Sequence, residues 1–156
     1  MVNNNYMELA LEMAKRAYKK DEVPIGAVIV DKNGNVISKG YNKREKTQNA
    51  VNHAEIDAIQ KACKKQKSWR LDDMAMYVTL KPCPMCAGAI LNARIKTVYY
   101  GADSPNDNQN LCEKIMTDVN RLNHKTGLIY LKNENCENIL KNYFKNKRNF
   151  KRKVLK

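Results

Sequence analysis

The chain has 156 residues, 43% hydrophobic and 29% charged, which fits one globular domain over residues 1–156 and does not fit a disordered or fibrous polymer. No apolar run approaches the roughly 20 residues that span a bilayer. Met1-Val2-Asn3-Asn4-Asn5 has neither the basic nor the apolar region of an export signal, so a cytoplasmic protein without a membrane partner is expected. Net charge is +13, from 29 Lys and Arg against 16 Asp and Glu, which points to an anionic partner, nucleic acid first, with a surface that the lysines merely solubilise as the open alternative. The five cysteines, an odd number with one C-x-x-C pair, do not form a disulfide framework and are expected as reduced thiols.

In chain order, Met7, Ala10, Leu11, Ala14 and Ala17 fall at helical spacing and predict a helix from about Asn5 to Lys20, closed by Val23-Pro24. Ile25 to Val30 reads as a buried strand, Asn33-Gly34 as a hairpin turn and Val36 to Tyr41 as the return strand. Asn42 to Asn52 lacks periodicity and is expected as a loop. A helix follows over His53 to Lys67, with Ile56, Ile59, Ala62 and Cys63 inward. Met76 to Leu80 is a third strand. Pro82 to about Ala93 is a helix so apolar on all sides that deep burial is expected. Thr97 to Ala102 is a fourth strand, Asp103 to Cys112 a polar loop, and Glu113 to Arg121 ambiguous. Gly127 to Leu131 is a fifth strand. Glu134 to about Lys147 is the last helix, with Cys136, Ile139, Leu140, Tyr143 and Phe144 inward, and a basic tail begins at about residue 148. The third strand, helix and fourth strand form a βαβ unit with parallel strands. The fold class is α/β: a three-layer α-β-α sandwich on a five-stranded mixed sheet.

Two short stretches carry chemistry: His53-Ala54-Glu55 and Pro82-Cys83-Pro84-Met85-Cys86. Three protein ligands hold a catalytic zinc and leave a fourth position for water. His53 offers one nitrogen. Cys83 and Cys86, three apart at a helix start, offer two sulfurs on one face, where the N-terminal dipole favours thiolates. Two thiolates and a neutral imidazole cancel the charge of Zn²⁺, which leaves it a Lewis acid. Glu55, two residues after His53, can face the same cavity as a proton carrier. Two other readings stay open. A redox C-x-x-C would want a thioredoxin-like context. A structural zinc would need a fourth ligand, for which His124 and Cys112 are the available donors. Cys63 and Cys136 sit on apolar helix faces and read as core.

The chain resembles the cytidine deaminase-fold superfamily and, within it, the bacterial tRNA-specific adenosine deaminases. The resemblance runs from about residue 5 to 150. It rests on Val23-Pro24-Ile25-Gly26-Ala27-Val28, Gly40-Tyr41-Asn42, His53-Ala54-Glu55-Ile56, Pro82-Cys83-Pro84-Met85-Cys86-Ala87-Gly88-Ala89, Tyr100-Gly101-Ala102, Asn123-His124 and Tyr143-Phe144. It implies a cytidine deaminase-like fold and a homodimer that flips the wobble adenosine of a tRNA anticodon into a zinc pocket and converts it to inosine. It further implies one Zn²⁺ per chain held by His53, Cys83 and Cys86, with Glu55 shuttling protons. Asn42 would bond the purine, and Asn123 would face the nucleotide. A turn asparagine is the plain alternative for Asn42.

The chain departs from that pattern where Lys81 replaces an acidic residue, Asn52 a small one, and Ser104 an Asp that contacts ribose. The loop Asn106-Asp107-Asn108-Gln109-Asn110 lacks the family's glycines. From Asn138 to Lys156 there is no acid and there are eight Lys or Arg, which fits phosphate contacts to an anticodon arm. A free-base deaminase of the same fold, acting on guanine or cytosine, is the alternative activity. An inactive structural-zinc RNA-binding module is the non-enzymatic one.

Overall fold

A computed structural model describes residues 4–106, 110–117 and 124–155. The elements are α1 (Asn4–Lys19), β1 (Gly26–Val30), β2 (Val36–Tyr41), α2 (Arg44–Thr47), α3 (Ala54–Gln66), β3 (Ala75–Leu80), α4 (Pro84–Asn92), β4 (Thr97–Ala102), α5 (Leu111–Thr117), β5 (Gly127–Tyr130) and α6 (Glu134–Val154). Among the described residues they build a five-stranded mixed sheet in the order β2-β1-β3-β4-β5. β1 pairs antiparallel with β2 and β3, while β3 with β4 and β4 with β5 run parallel. The expected three-layer α/β sandwich is what forms. No helix among the described residues is long and apolar enough to cross a membrane.

Every residue of β1 is buried, because helices cover both faces of the sheet. Ala27 and Ile29 point to the layer of α3, α4 and α5, with Met76, Val78, Val98 and Ile90. Val28 and Val30 point to the layer of α1 and α6, with Met7, Leu11, Tyr77 and Cys136. Two glycines set how close the layers come. A Cβ at Gly26 would collide with the carbonyl of Ala10 in α1, and one at Gly40 with the carbonyl of Ala54 in α3. The β1–β2 turn forms as its residues predict. Asp31 accepts from Asn33 N at 2.9 Å and Asn35 N at 2.8 Å, and Gly34 adopts φ +85°.

Four expectations are corrected. The Asn42–Asn52 segment contains one helical turn, α2. α3 turns Ala54, Ala58 and Ala62 inward rather than Ile56, because Gly40 brings β2 too close for bulk; Ile59 and Cys63 are only partly buried. α4 is not buried all round: Met85 is 36% exposed, and a Cβ at Gly88 would meet none of the described residues within 4 Å. α6 does not stop near Lys147 but continues to Val154, so the basic run lies on a helix, and Phe144 is exposed. Cys136 and Cys112 are buried core residues, and the Cys136 thiol is pushed up to about 12 by that burial.

Candidate active site

The site forms where two helices begin. His53 is the N-cap of α3 and Cys83 the N-cap of α4, both in extended backbone (ψ 163° and 169°), and neither spends its side chain on capping. Pro84 occupies the first turn of α4, where a missing N–H costs nothing. Cys86, one helical turn on, is fully buried. The His53 Nδ1 lies 3.7 Å from Cys83 Sγ and 3.6 Å from Cys86 Sγ, and the three donor atoms lie within 4.8 Å of one another. Tetrahedral bonds of about 2.05 Å to nitrogen and about 2.3 Å to sulfur require an N···S separation of about 3.6 Å, so the donors fit a zinc ion.

The electrostatics agree. The Cys83 thiol is lowered to about 4, first by the hydrogen bond from Cys86 and then by His53; Cys86, which supplies that bond, is raised. One thiolate therefore forms readily, and the second needs a cation in place of the shared proton.

Glu55 sits in the first turn of α3, 4% exposed, and its Oε2 has no hydrogen-bond partner. Burial raises its carboxyl to about 7. A buried carboxylate oxygen without a partner is costly unless the site uses it. His124 and Cys112, the candidate fourth ligands, lie elsewhere. His124 Nε2 is 2.9 Å from the Ile95 carbonyl and Cys112 packs near Met116, so the described residues give no four-ligand structural site.

Asn42 follows β2 and is 5% exposed. Its Nδ2 donates to Val23 O at 3.2 Å, and its Oδ1 accepts from Arg44 N at 3.2 Å. One N–H and one lone pair of the amide are left over. Asn123, the second expected nucleotide contact, lies outside the described residues.

Two buried acids that carry no sequence motif brace this turn. Glu22, 1% exposed, accepts from Glu45 N at 2.8 Å and Lys46 N at 3.4 Å and so holds α2. Asp57 accepts from Tyr41 N and pairs with Lys43 at 3.1 Å and Lys61 at 3.0 Å. The local signals are Glu22 immediately before Val23-Pro24, and Asp57 at an inward helical position.

α6 walls two grooves beside this end of the sheet. One, of about 880 Å³, includes Asn42, Arg44, Lys46, Tyr143, Lys147 and Lys151. The other, of about 550 Å³, runs between residues 103–106 and Leu140, Lys141, Phe144 and Arg148. α6 is tied down by Tyr143 Oη donating to Asp21 O at 3.2 Å and by Lys147 paired with Asp21 at 2.7 Å.

Fold and site together define a deaminase: the MafB19-like deaminase model matches residues 1–148, and the chain belongs to that family. It is 39% identical over 152 residues to the tRNA-specific adenosine deaminase of Bacillus subtilis (strain 168), covering 97% of this chain and 94% of that protein. A structure from a study of A-to-I editing by tRNA:A34 deaminases at the wobble position of transfer RNA superposes with a TM-score of 0.81 at 37% identity, covering 88% of this chain and 100% of that one. The X-ray structure of guanine deaminase from Bacillus subtilis gives a TM-score of 0.62 at 38% identity, over 66% of each chain. The resemblance to tRNA-specific adenosine deaminases read from the sequence is borne out.

Proposed function

We propose that this protein hydrolyses the exocyclic amine of adenosine at the wobble position of a tRNA anticodon, giving inosine and ammonia. The observation that carries the reading is the kinship at 39% identity to a tRNA-specific adenosine deaminase along nearly the whole chain, where the guanine deaminase of Bacillus subtilis matches two thirds of it. His53, Cys83 and Cys86 would hold one Zn²⁺ per chain. Bound there, the ion supplies Lewis acidity that lowers the pKa of water.

Glu55 accepts a proton from the attacking water and delivers it to the ring nitrogen. It then carries the second proton to the departing amine, which leaves as ammonia. Its buried Oε2, which has no hydrogen-bond partner, suits that traffic, since that oxygen is left to take the proton. The unused donor and acceptor of Asn42 would bond the purine, and Asn123 would face the nucleotide. Lys141, Lys145, Lys147, Arg148, Lys151, Arg152 and Lys153 on α6 would contact backbone phosphates of the anticodon arm.

The protein would act as a single domain, in the cytoplasm, as a homodimer. The open face of α4 supports the dimer, because Pro84, Met85 and Ala89 beside the bare Gly88 allow close approach of a second copy. Gly88→Arg is then expected to give a monomer by light scattering.

The test is incubation of the purified protein, its zinc measured, with tRNA carrying a wobble adenosine. Inosine at that position is expected, with no ammonia from free guanine or cytosine. Ammonia from a free base with an unchanged tRNA would select the alternative.

A further inference from the structure

A buried cation next to the site has no part in the chemistry above. Lys81 joins β3 to Pro82, and its side chain is 3% exposed. Lysine is almost never fully buried unless paired. Here two other segments supply the partners. Its Nζ forms an ion pair with Glu113 of α5, lies 3.4 Å from Asp103 Oδ1, and stands 5.8 Å from the centre of the Tyr100 ring. The backbone holds it from behind, with Lys81 N donating to Ala102 O at 2.9 Å. Glu113 turns one oxygen to Lys81 and keeps the other, Oε2, buried with no hydrogen-bond partner.

The outer end of this triad reaches the substrate side. Asp103 is 55% exposed and begins the 103–106 segment, which faces Lys141, Phe144 and Arg148 of α6 across the 550 Å³ groove. One wall of the groove carries cations on a long helix. The other is an irregular segment that meets the ligand turn through Lys81. An apolar side chain of similar volume would fill the space at least as well, but would give neither carboxylate a direction.

We propose that Lys81 is a positioning residue for the RNA substrate. Its ammonium clamps Asp103 and Glu113 to the turn that carries Cys83, and so fixes the groove wall opposite α6. This rests on the tRNA reading above. The clamp acts on how RNA is held and not on proton transfer, since Asp103 and Glu113 lie on the 103–106 segment and α5, apart from the Glu55 helix.

The experiment uses the full, zinc-loaded chain and an anticodon stem-loop with a wobble adenosine, with kcat and KM followed by inosine formation. Lys81→Met is expected to raise KM about tenfold, to leave kcat within about threefold, and to leave zinc content unchanged. Lys81→Arg keeps the cation and should stay within about twofold of the parent in KM. The reversed pair, Lys81→Glu with Glu113→Lys, should recover most of the loss that each single change causes.

An unchanged KM in Lys81→Met overturns the proposal, as does a fall in kcat alone or a reversed pair no better than its singles. Should Lys81→Met fail to fold, Asp103→Asn tests the solvent end of the clamp. A KM about threefold higher is expected there, and an unchanged one overturns the proposal. Failure of the tRNA reading is distinct, because the parent protein would then make no inosine before any variant is compared.

Discussion

The two ends of the reaction are built in opposite ways. The groups proposed for the chemistry sit within four residues of two helix starts: His53 and Glu55 on α3, Cys83 and Cys86 on α4. Their directions are set by helix geometry, and the helices are packed on a sheet whose β1 strand is buried at every residue. The groups proposed to hold RNA come from segments far apart in the chain: Asn42, the 103–106 segment and α6. They are joined by bonds such as Glu22 to α2 and Lys147 to Asp21, which span 23 and 126 residues. Chemistry placed on helix termini tolerates change around it. Recognition assembled from distant pieces can be retuned piece by piece, and α6 and the 103–106 segment are where relatives with other substrates would be expected to differ.

That contrast can be broken at either end. Glu55→Gln should lower kcat by about 10²–10⁴-fold or more, with zinc retained and stem-loop affinity little changed; an equal loss of affinity would mean the ends are not separate. Cys83→Ser, or chelation of the parent protein, should remove both metal and turnover, with the metal loss read by atomic absorption. On the other side, Lys147→Gln with Arg148→Gln and Lys151→Gln should raise KM about tenfold at constant kcat. It should also flatten the salt dependence of binding, the log–log slope falling by about 0.7–0.9 for each phosphate that is no longer neutralised.

The smallest effect is on stability against pH in the metal-stripped protein. Glu55 titrates near 7 when folded, above its unfolded value, so the folded state holds a proton that the unfolded state gives up. Stability from this group is full below the unfolded value of about 4.3 and declines as pH rises toward 7, the opposite sign to an ion-paired carboxylate. Over that window the Tm of the parent should fall relative to that of Glu55→Gln, the difference between the two isolating this group.

Much of this is readable in the sequence because it is local. The five strands follow from short β-rich runs between turn residues, and the metal kit from spacings of two and three residues. What the sequence hides depends on packing between distant parts. Bulk alone puts Ile56 on the inward face of α3, yet Gly40 on β2 requires alanine there. Apolarity alone predicts full burial of α4, although among the described residues Met85 stays 36% exposed and a Cβ at Gly88 would meet nothing within 4 Å. Apolar spacing ends the last helix near Lys147, but Lys, Arg and Asn continue it without an inward face. Glu22 and Asp57 carry no motif, and their purpose emerges only when α2 and the Tyr41 turn are seen to lean on them.

The unbroken run of α6 turns its cations into a phased array. Twenty-one residues at about 1.5 Å each make a rod of about 30 Å, anchored at Tyr143 and Lys147 and reaching away from the groove. A single alanine inserted after Arg148 would swing Lys151, Arg152 and Lys153 round by about 100° while moving them by about 1.5 Å. Four inserted residues would bring them back to nearly the same side, about one turn further out. A frayed tail would feel neither insertion; a rod read by RNA would lose grip with one residue and regain it with four.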